Sequence, residues 1–289
     1  MSLCNLCPRR CHTDRKEGKF GICNAPYELK LAKACLHFGE EPCISGSRGS
    51  GTIFFSGCNL KCVFCQNFNI SHETFGKVVT VERLAEIMRE LETKGAHNIN
   101  FVTPTHYINK IKQALEIYRP AIPLVYNGSG YENISVIEED IFDVYLFDLK
   151  FFSAEKSNKY ASCTDYFDTA STVIKRAYEI KGVPRFDREG ILQSGILVRH
   201  LILPQSTADA ISIIKWLNEN TPKICFSLMS QYVPMHKANE FKEINRKITK
   251  REYLKVIAEC ENTNFHTIYS QELTSATDEY IPDFNLEGI

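Results

Sequence analysis

Three cysteines, Cys58, Cys62 and Cys65, form a C-x-x-x-C-x-x-C step inside "SGCNLKCVFCQN", Ser56 to Asn67. A closed structural zinc site takes four protein ligands, whereas three thiolates leave one metal position for something that is not protein. Thiolates this close on one loop can hold three corners of an iron-sulfur cube and leave the fourth iron open to a small molecule. The competing arrangement is a three-cysteine zinc loop completed by a distant histidine. A second set, Cys4, Cys7, Cys11 and Cys23, occupies "CNLCPRRC" and "GIC". That segment has little apolar content and folds only if something ties it down; a four-thiolate site, zinc or a second 4Fe-4S cluster, is the obvious staple. Cys35 or Cys43 could exchange into this second set.

The rest of the chain bounds what such sites can serve. Twelve cysteines are many for 289 residues, and nine of them fall in the first 65 in short steps that suit metal better than disulfides. Cys163, Cys225 and Cys260 stand alone and read as small buried hydrophobes. With 44% hydrophobic residues, 24% charged residues and a formal net charge of -1, the chain carries no field that would gather nucleic acid or an anionic membrane. No stretch approaches the roughly 18 uninterrupted apolar residues of a membrane span. The opening "MSLCNLCPRRCHTDRK" has no apolar signal-peptide core, so the expected location is cytoplasmic.

The elements that must position the cysteines follow from hydrophobic period. Residues 1–49 read as a cysteine-rich, loop-like metal-binding segment, and 50–289 as one barrel domain with a carboxyl-terminal helix and strand. Apolar runs predict strands at Thr52 to Ser56, Ile99 to Thr103, Pro123 to Tyr126, Val144 to Leu149, Ile196 to Leu203 and Ile224 to Ser230, with a seventh at His266 to Ser270. Amphipathic helices fill the gaps at Val81 to Lys94, Tyr107 to Tyr118, Thr169 to Lys181, Thr207 to Asn220 and Thr249 to Cys260. This alternation predicts an α/β fold with a parallel sheet. Polar residues recur where the strands end: Cys58, Thr103 to His106, Asn127, Asp148, Lys150, Arg199 and Gln231. That edge is where parallel α/β folds bind ligands, which favours a partial (β/α)6 barrel over an open doubly wound sheet.

At this point the sequence resembles a known family. "CNLKCVFC", with Phe64 between its second and third cysteines and a strand before it, resembles the cluster loop of the radical S-adenosylmethionine (SAM) superfamily. The likeness extends along most of the chain and is greatest to the pyruvate formate-lyase activating enzyme-like branch. "YNGSGYE" at Tyr126 to Glu132 is similar to that branch's Y-N-T-N-G-Y-E strand end, "FDLK" at Phe147 to Lys150 to its D-x-K strand, and "VRHLILP" at Val198 to Pro204 to its arginine-bearing strand. The resemblance implies a radical SAM partial barrel with a cysteine-rich amino-terminal extension. It implies a 4Fe-4S cluster on Cys58, Cys62 and Cys65, and S-adenosylmethionine bound near Phe64, Asn127, Asp148, Lys150 and Arg199. One departure stands out: the branch places G-G-E after the second strand for the cofactor's ammonium, and here the segment reads "VTPTHY", so Thr103 and Thr105 would have to accept those hydrogen bonds.

The implied activity is reductive cleavage of S-adenosylmethionine to a 5′-deoxyadenosyl radical that removes hydrogen from a substrate, with activation of a glycyl-radical enzyme as one version. Modification of another protein or a small molecule is the alternative. A low-potential electron donor such as flavodoxin or ferredoxin is implied as partner. A non-catalytic electron-transfer protein fits less well, because some two hundred residues of βα alternation exceed what carrying clusters requires. A barrel of six strands leaves a wide mouth, which favours a protein substrate over a metabolite that must bury about 70 to 90% of its surface. Hydrogen abstraction needs no acid or base, so His37, His106, His200 and His236 are expected to be structural.

Overall fold

The computed structural model describes residues 3–271, 273 and 282–289. Ten strands form its sheet: β1 Leu29–His37, β2 Ser50–Phe55, β3 Lys77–Val79, β4 Ile99–Val102, β5 Leu124–Gly128, β6 Val144–Asp148, β7 Arg185–Phe186, β8 Leu192–Leu201, β9 Cys225–Met229 and β10 Thr267–Ser270. Their spatial order is β10-β9-β8-β6-β5-β4-β2-β1-β3, with β7 alongside β8. From β2 to β10 every pairing on that path is parallel and each new strand joins the same side. The order never reverses, so there is no switch point of the doubly wound kind, and the sheet is that of a partial barrel. All seven strands expected from the apolar runs are present.

The helices are α1 Pro42–Ser45, α2 Phe68–Ser71, α3 Val81–Thr93, α4 Ile108–Ile117, α5 Ser135–Glu138, α6 Ala154–Ala161, α7 Tyr166–Lys181, α8 Thr207–Asn220 and α9 Lys250–Cys260. In α3, Thr80 caps the first turn by accepting from Arg83 N at 3.2 Å, and Leu84, Ile87, Met88 and Leu91 are buried. Each of those side chains contributes about 1.5–3 kcal/mol by leaving water. All residues of β2 and β5 are buried, as strands covered on both faces must be.

The segment before Gly49 is not all loop. Its nine-residue β1 runs antiparallel to β2, from Leu31 against Phe55 to His37 against Ser50, and carries β3 on its other side. Its polar and charged residues, Lys30 and Lys33 among them, hide the strand from a reading that looks for apolar runs. The end of the chain adds to the same edge: Ala34 N donates to Glu287 O at 2.8 Å, Leu286 N donates to Ala32 O at 3.2 Å, and Phe284 meets Phe54 edge-on.

Candidate active site at the carboxyl edge of the sheet

Strand β2 delivers the three-cysteine loop. Two residues beyond its end stands Gly57, whose φ of +94° is a left-handed value, and where a Cβ would lie 2.8 Å from the carbonyl of Cys23, so only glycine fits. The loop then hangs from the surrounding backbone: Cys58 N donates to Cys23 O at 3.2 Å, Val63 N to Tyr160 O at 2.8 Å and Lys237 N to Val63 O at 2.8 Å. Cys58, Cys62 and Cys65 line one cavity of about 250 Å³. Burial pushes all three thiols above the ordinary cysteine value, Cys58 to about 11; Lys150 works against it at each of them and Lys61 at Cys58 and Cys65. A cation in contact with these sulfurs would deprotonate them.

Sheet register brings the other expected residues to the same cavity. Val102 pairs with Asn127, and Asp148 with Arg199, so successive strands offer their polar ends at one level. Arg199 Nε donates to Asp148 at 2.7 Å, one of its terminal nitrogens to Asn127 Oδ1 at 3.0 Å, and Lys150 Nζ to the other Asp148 oxygen at 2.7 Å. Burial tends to raise the Asp148 carboxyl, but Arg199 and then Lys150 outweigh it and hold the group well below the usual carboxylate range. Burial likewise opposes the charges of Arg199 and Lys150, and Asp148 is the largest influence restoring each. Phe64 lines the cavity and packs edge-on against Phe151 and Tyr232.

The two threonines separate. Thr103 lines the cavity at φ +60°, a value that a β-branched residue adopts only when its surroundings force it; here its N–H donates to Asn127 O at 2.8 Å. Thr105 does not line the cavity. It is buried behind it and donates to Glu132 at 3.1 Å, while Tyr126 donates to the same carboxyl at 2.8 Å. Burial raises Glu132 to about 8.

A carboxylate that the sequence reading missed does reach the cavity. Glu40, in the turn between β1 and α1, accepts from Arg199 at 2.6 Å, from Asn127 at 3.0 Å and from Asn100 at 3.2 Å. Its neighbour Glu41 is buried 3.8 Å from the same guanidinium. The signal in the sequence is two adjacent acids before a helix-opening proline, "EEPC", which is unusual chemistry to bury.

The four amino-terminal cysteines lie behind the loop. Cys7 and Cys23 are buried and Cys4 and Cys11 half-buried. Cys35 and Cys43 go elsewhere: Cys35 packs with Phe54 and Ile70, and Cys43 with Val125 and Cys225. Cys163, Cys225 and Cys260 are buried, as expected of isolated cysteines. Among the described residues no three His, Cys, Asp or Glu side chains converge on one metal-ion position. The histidines have structural work. His106 bonds Ser56 O at 2.8 Å and burial lowers it to about 3, His200 bonds Leu149 O at 2.7 Å, and His236 stacks on Phe68; His37 alone of the four reaches the cavity wall.

The model of the radical SAM superfamily matches residues 52–156, which span β2 with its cysteine loop through the start of α6. Residues 52–156 of the chain carry a radical SAM superfamily domain. An uncharacterized protein of Methanocaldococcus jannaschii is 31% identical over 278 residues, covering 92% of this chain and 76% of the relative. Among solved structures, Streptococcus suis SuiB superposes with a TM-score of 0.51 at 15% identity, over 76% of this chain and 48% of SuiB. The hydrogenase maturase HydG of Carboxydothermus hydrogenoformans superposes with a TM-score of 0.50 at 12% identity, over 80% of this chain and 56% of HydG. The chain spans about half the length of those two solved proteins, and the likeness to them is one of fold. A 4Fe-4S cluster and S-adenosylmethionine are the cofactors this superfamily implies. Among the described residues no helix is long and apolar enough to cross a membrane.

Proposed function

We propose that Cys58, Cys62 and Cys65 hold the 4Fe-4S cluster, that S-adenosylmethionine binds beside it against Asp148, Lys150, Arg199, Asn127, Thr103 and Phe64, and that the substrate is a segment of another protein, a glycyl-radical enzyme being the concrete case. The carrying observation is that the three thiols and the Asp148–Arg199–Lys150 network open on one cavity at the carboxyl edge of a parallel sheet. The residues fit the group. The three thiols share a wall without converging on one ion position, which a zinc site needs and a cube with one thiolate per iron does not. The chemistry the group supplies when bound is one-electron reduction of the cofactor's sulfonium, which breaks a carbon–sulfur bond homolytically and leaves a carbon radical to take hydrogen from substrate.

What the chain supplies is orientation and dryness. Lys150 and Arg199 present fixed positive charge suited to a carboxylate, and Asp148 and Glu40 hold both cations in place so that no reorganisation is needed on binding. Phe54, Phe55, Leu60, Phe64 and Ile70 line the apolar side and keep water from a reactive carbon. A cavity of about 250 Å³ lies just below the roughly 300–1,000 Å³ that usually encloses a single small ligand, so with the cofactor in place a substrate meets it at the mouth. A peptide segment presented from outside suits that arrangement. For the four amino-terminal cysteines we propose a second 4Fe-4S cluster, with zinc as the other outcome, and for the reductant a flavodoxin or ferredoxin.

The test uses anaerobically reconstituted, reduced protein with a glycyl-radical enzyme carrying deuterated glycine. Slow, uncoupled formation of 5′-deoxyadenosine that accelerates on adding the partner, with deuterium in the product, is the expected result. Full-rate cleavage driven by a small metabolite, with label from that metabolite, overturns the protein-substrate reading.

A further inference from the structure

Behind Cys65 lies a short polar chain that the reaction as described does not use. The Cys65 sulfur is 3.1 Å from the hydroxyl of Ser71, and that hydroxyl is 2.8 Å from Nδ1 of His72. Both residues sit at the end of α2, the single turn that follows the cysteine loop, and His72 N caps that turn by donating to Phe68 O at 2.8 Å. The Ser71 side chain is buried beside the cavity. The His72 ring packs on His236, which in turn stacks on Phe68, so the imidazole is held on its outer side as well. The Lys61 ammonium donates to Ser71 O at 3.4 Å and further fixes the turn.

Directions in this chain are determined by the sulfur. A metal-bound thiolate has no proton, so the Ser71 hydroxyl is the only partner that can donate across the 3.1 Å contact. With its hydrogen committed to sulfur, the Ser71 oxygen can only accept from His72, which places a proton on Nδ1. Hydrogen bonds to cluster sulfurs and the groups that orient them are among the levers by which a protein sets cluster potential. Reduction adds negative charge that spreads onto the thiolates, so a donor at sulfur stabilises the reduced form more than the oxidised one. Among the described residues a side-chain hydroxyl lies within hydrogen-bonding distance of the Cys65 sulfur and of neither the Cys58 nor the Cys62 sulfur.

We propose that Ser71, oriented by His72, is a positioning residue that raises the reduction potential of the cluster on Cys58, Cys62 and Cys65 through a hydrogen bond to the Cys65 sulfur. The proposal rests on those three cysteines being the ligands. The experiment is an EPR-monitored redox titration of anaerobically reconstituted full-length protein, following only the signal that a Cys62→Ala variant removes. Ser71→Ala should keep the iron content of the wild type and lower the potential. Ser71→Thr, which restores the hydroxyl, should return it toward the wild-type value, and His72→Ala should lower it by less than Ser71→Ala. An unchanged potential in Ser71→Ala at full iron content overturns the proposal. So does loss of iron in Ser71→Ala, which would make the hydroxyl a requirement for assembly and not for tuning. Retention of the whole signal in Cys62→Ala is a different failure: it would refute the ligand assignment itself.

Discussion

The two cysteine groups use the same side chain at similar steps, and the fold treats them in opposite ways. Cys58, Cys62 and Cys65 ride at the end of a buried parallel strand and line the cavity. Cys4, Cys7, Cys11 and Cys23 belong to an irregular segment at the back of the same loop, joined to it where Cys58 N donates to Cys23 O. The front group faces a network of carboxylates and cations; the rear group is fastened by arginines that donate to backbone carbonyls. Arg9 reaches Asn59 O at 2.8 Å and Ala161 O at 3.2 Å, and Arg15 reaches His106 O at 2.8 Å and Ala25 O at 3.2 Å. The lesson is that spacing tells how many thiolates a loop can offer, while the element that delivers the loop decides whether they meet a ligand.

The largest effects should separate the groups outright. Cys62→Ala is expected to abolish deoxyadenosine formation, because it removes one of three ligands and nothing nearby replaces it. A Cys7→Ala and Cys11→Ala double variant, reduced chemically, should keep that activity while iron falls from about eight to about four per chain, the difference of one 4Fe-4S cluster. Zinc near one equivalent alongside four irons would assign the rear group to zinc. Loss of cleavage in the double variant at full occupancy of the front cluster would collapse the distinction between the two regions.

Next in size is the cost of disturbing the front network. Arg199 serves Asp148, Glu40 and Asn127 at once and faces Glu41, all of them largely buried. Arg199→Ala strands carboxylates whose desolvation is no longer offset, and breaking a buried pair this way costs about 3–5 kcal/mol. Lys should rescue little, since an ammonium cannot serve several partners with one planar fork. Urea denaturation of the metal-free chain reads the loss directly, and a change under about 1 kcal/mol, the range of an exposed pair, would mean the network is not a unit.

How much of this was legible beforehand depends on what kind of residue carried it. The seven parallel strands and five long helices follow from apolar period, and the edge where Asp148, Lys150, Arg199 and Asn127 gather follows from strand polarity. Strand β1 escaped because its pattern mixes lysines with apolar residues, and the short turns α1, α2, α5 and α6 are below the length at which helical period can be seen. Glu40 escaped for a different reason: it enters the cavity from a loop, and its partners come from β4, β5 and β8, separations that no local pattern encodes. Thr105 was expected at the cofactor because "VTPTHY" stands where the resembling branch has G-G-E, but a 3-10 turn over Thr105–Tyr107 points it at Glu132 instead.

Glu132 lies between the regions and gives a pH test of them. Asp148 and Glu132 are both buried carboxyls, yet cations keep the first ionised while burial holds the second neutral up to about 8, against an ordinary value of 4.5. A raised carboxyl stabilises the fold fully below its unfolded value and loses that contribution as pH rises through the folded value. Between about pH 4.5 and 8 the wild type should therefore lose stability by as much as about 1.4 kcal/mol per unit from this group. Glu132→Gln should flatten that slope, whereas Asp148→Asn should lower stability at neutral pH and change the slope only on the acid side, below about pH 4, where the wild-type carboxylate would lose its contribution. Melting temperatures at pH 5.5, 7 and 8.5 decide it, and parallel profiles for wild type and Glu132→Gln would place Glu132 outside the buried environment described.

The smallest expected effect tests how the rear segment is held. Arg9 donates to carbonyls of Asn59, Ala161 and Ser162 and lies over the Tyr131 ring, 5.3 Å from its centre, and among the described residues no carboxylate forms an ion pair with it. Arg9→Ala thus removes bonds from a charged donor without stranding a charge, which is worth about 1–2 kcal/mol where Arg199→Ala costs more. The loss should also be local. Amides such as Cys4 N and His12 N, which close the rear loop by bonding Thr13 O and Cys4 O, should exchange faster, while those of Val63 and Cys65 in the front loop keep their protection because their own partners, Tyr160 O and Cys62 O, are untouched. Arg9→Lys should restore part of this, since one ammonium can reach one carbonyl but not all three. Equal acceleration in both loops would show that the rear segment supports the front one mechanically, and the contrast between an anchored active loop and an appended one would then have to be given up.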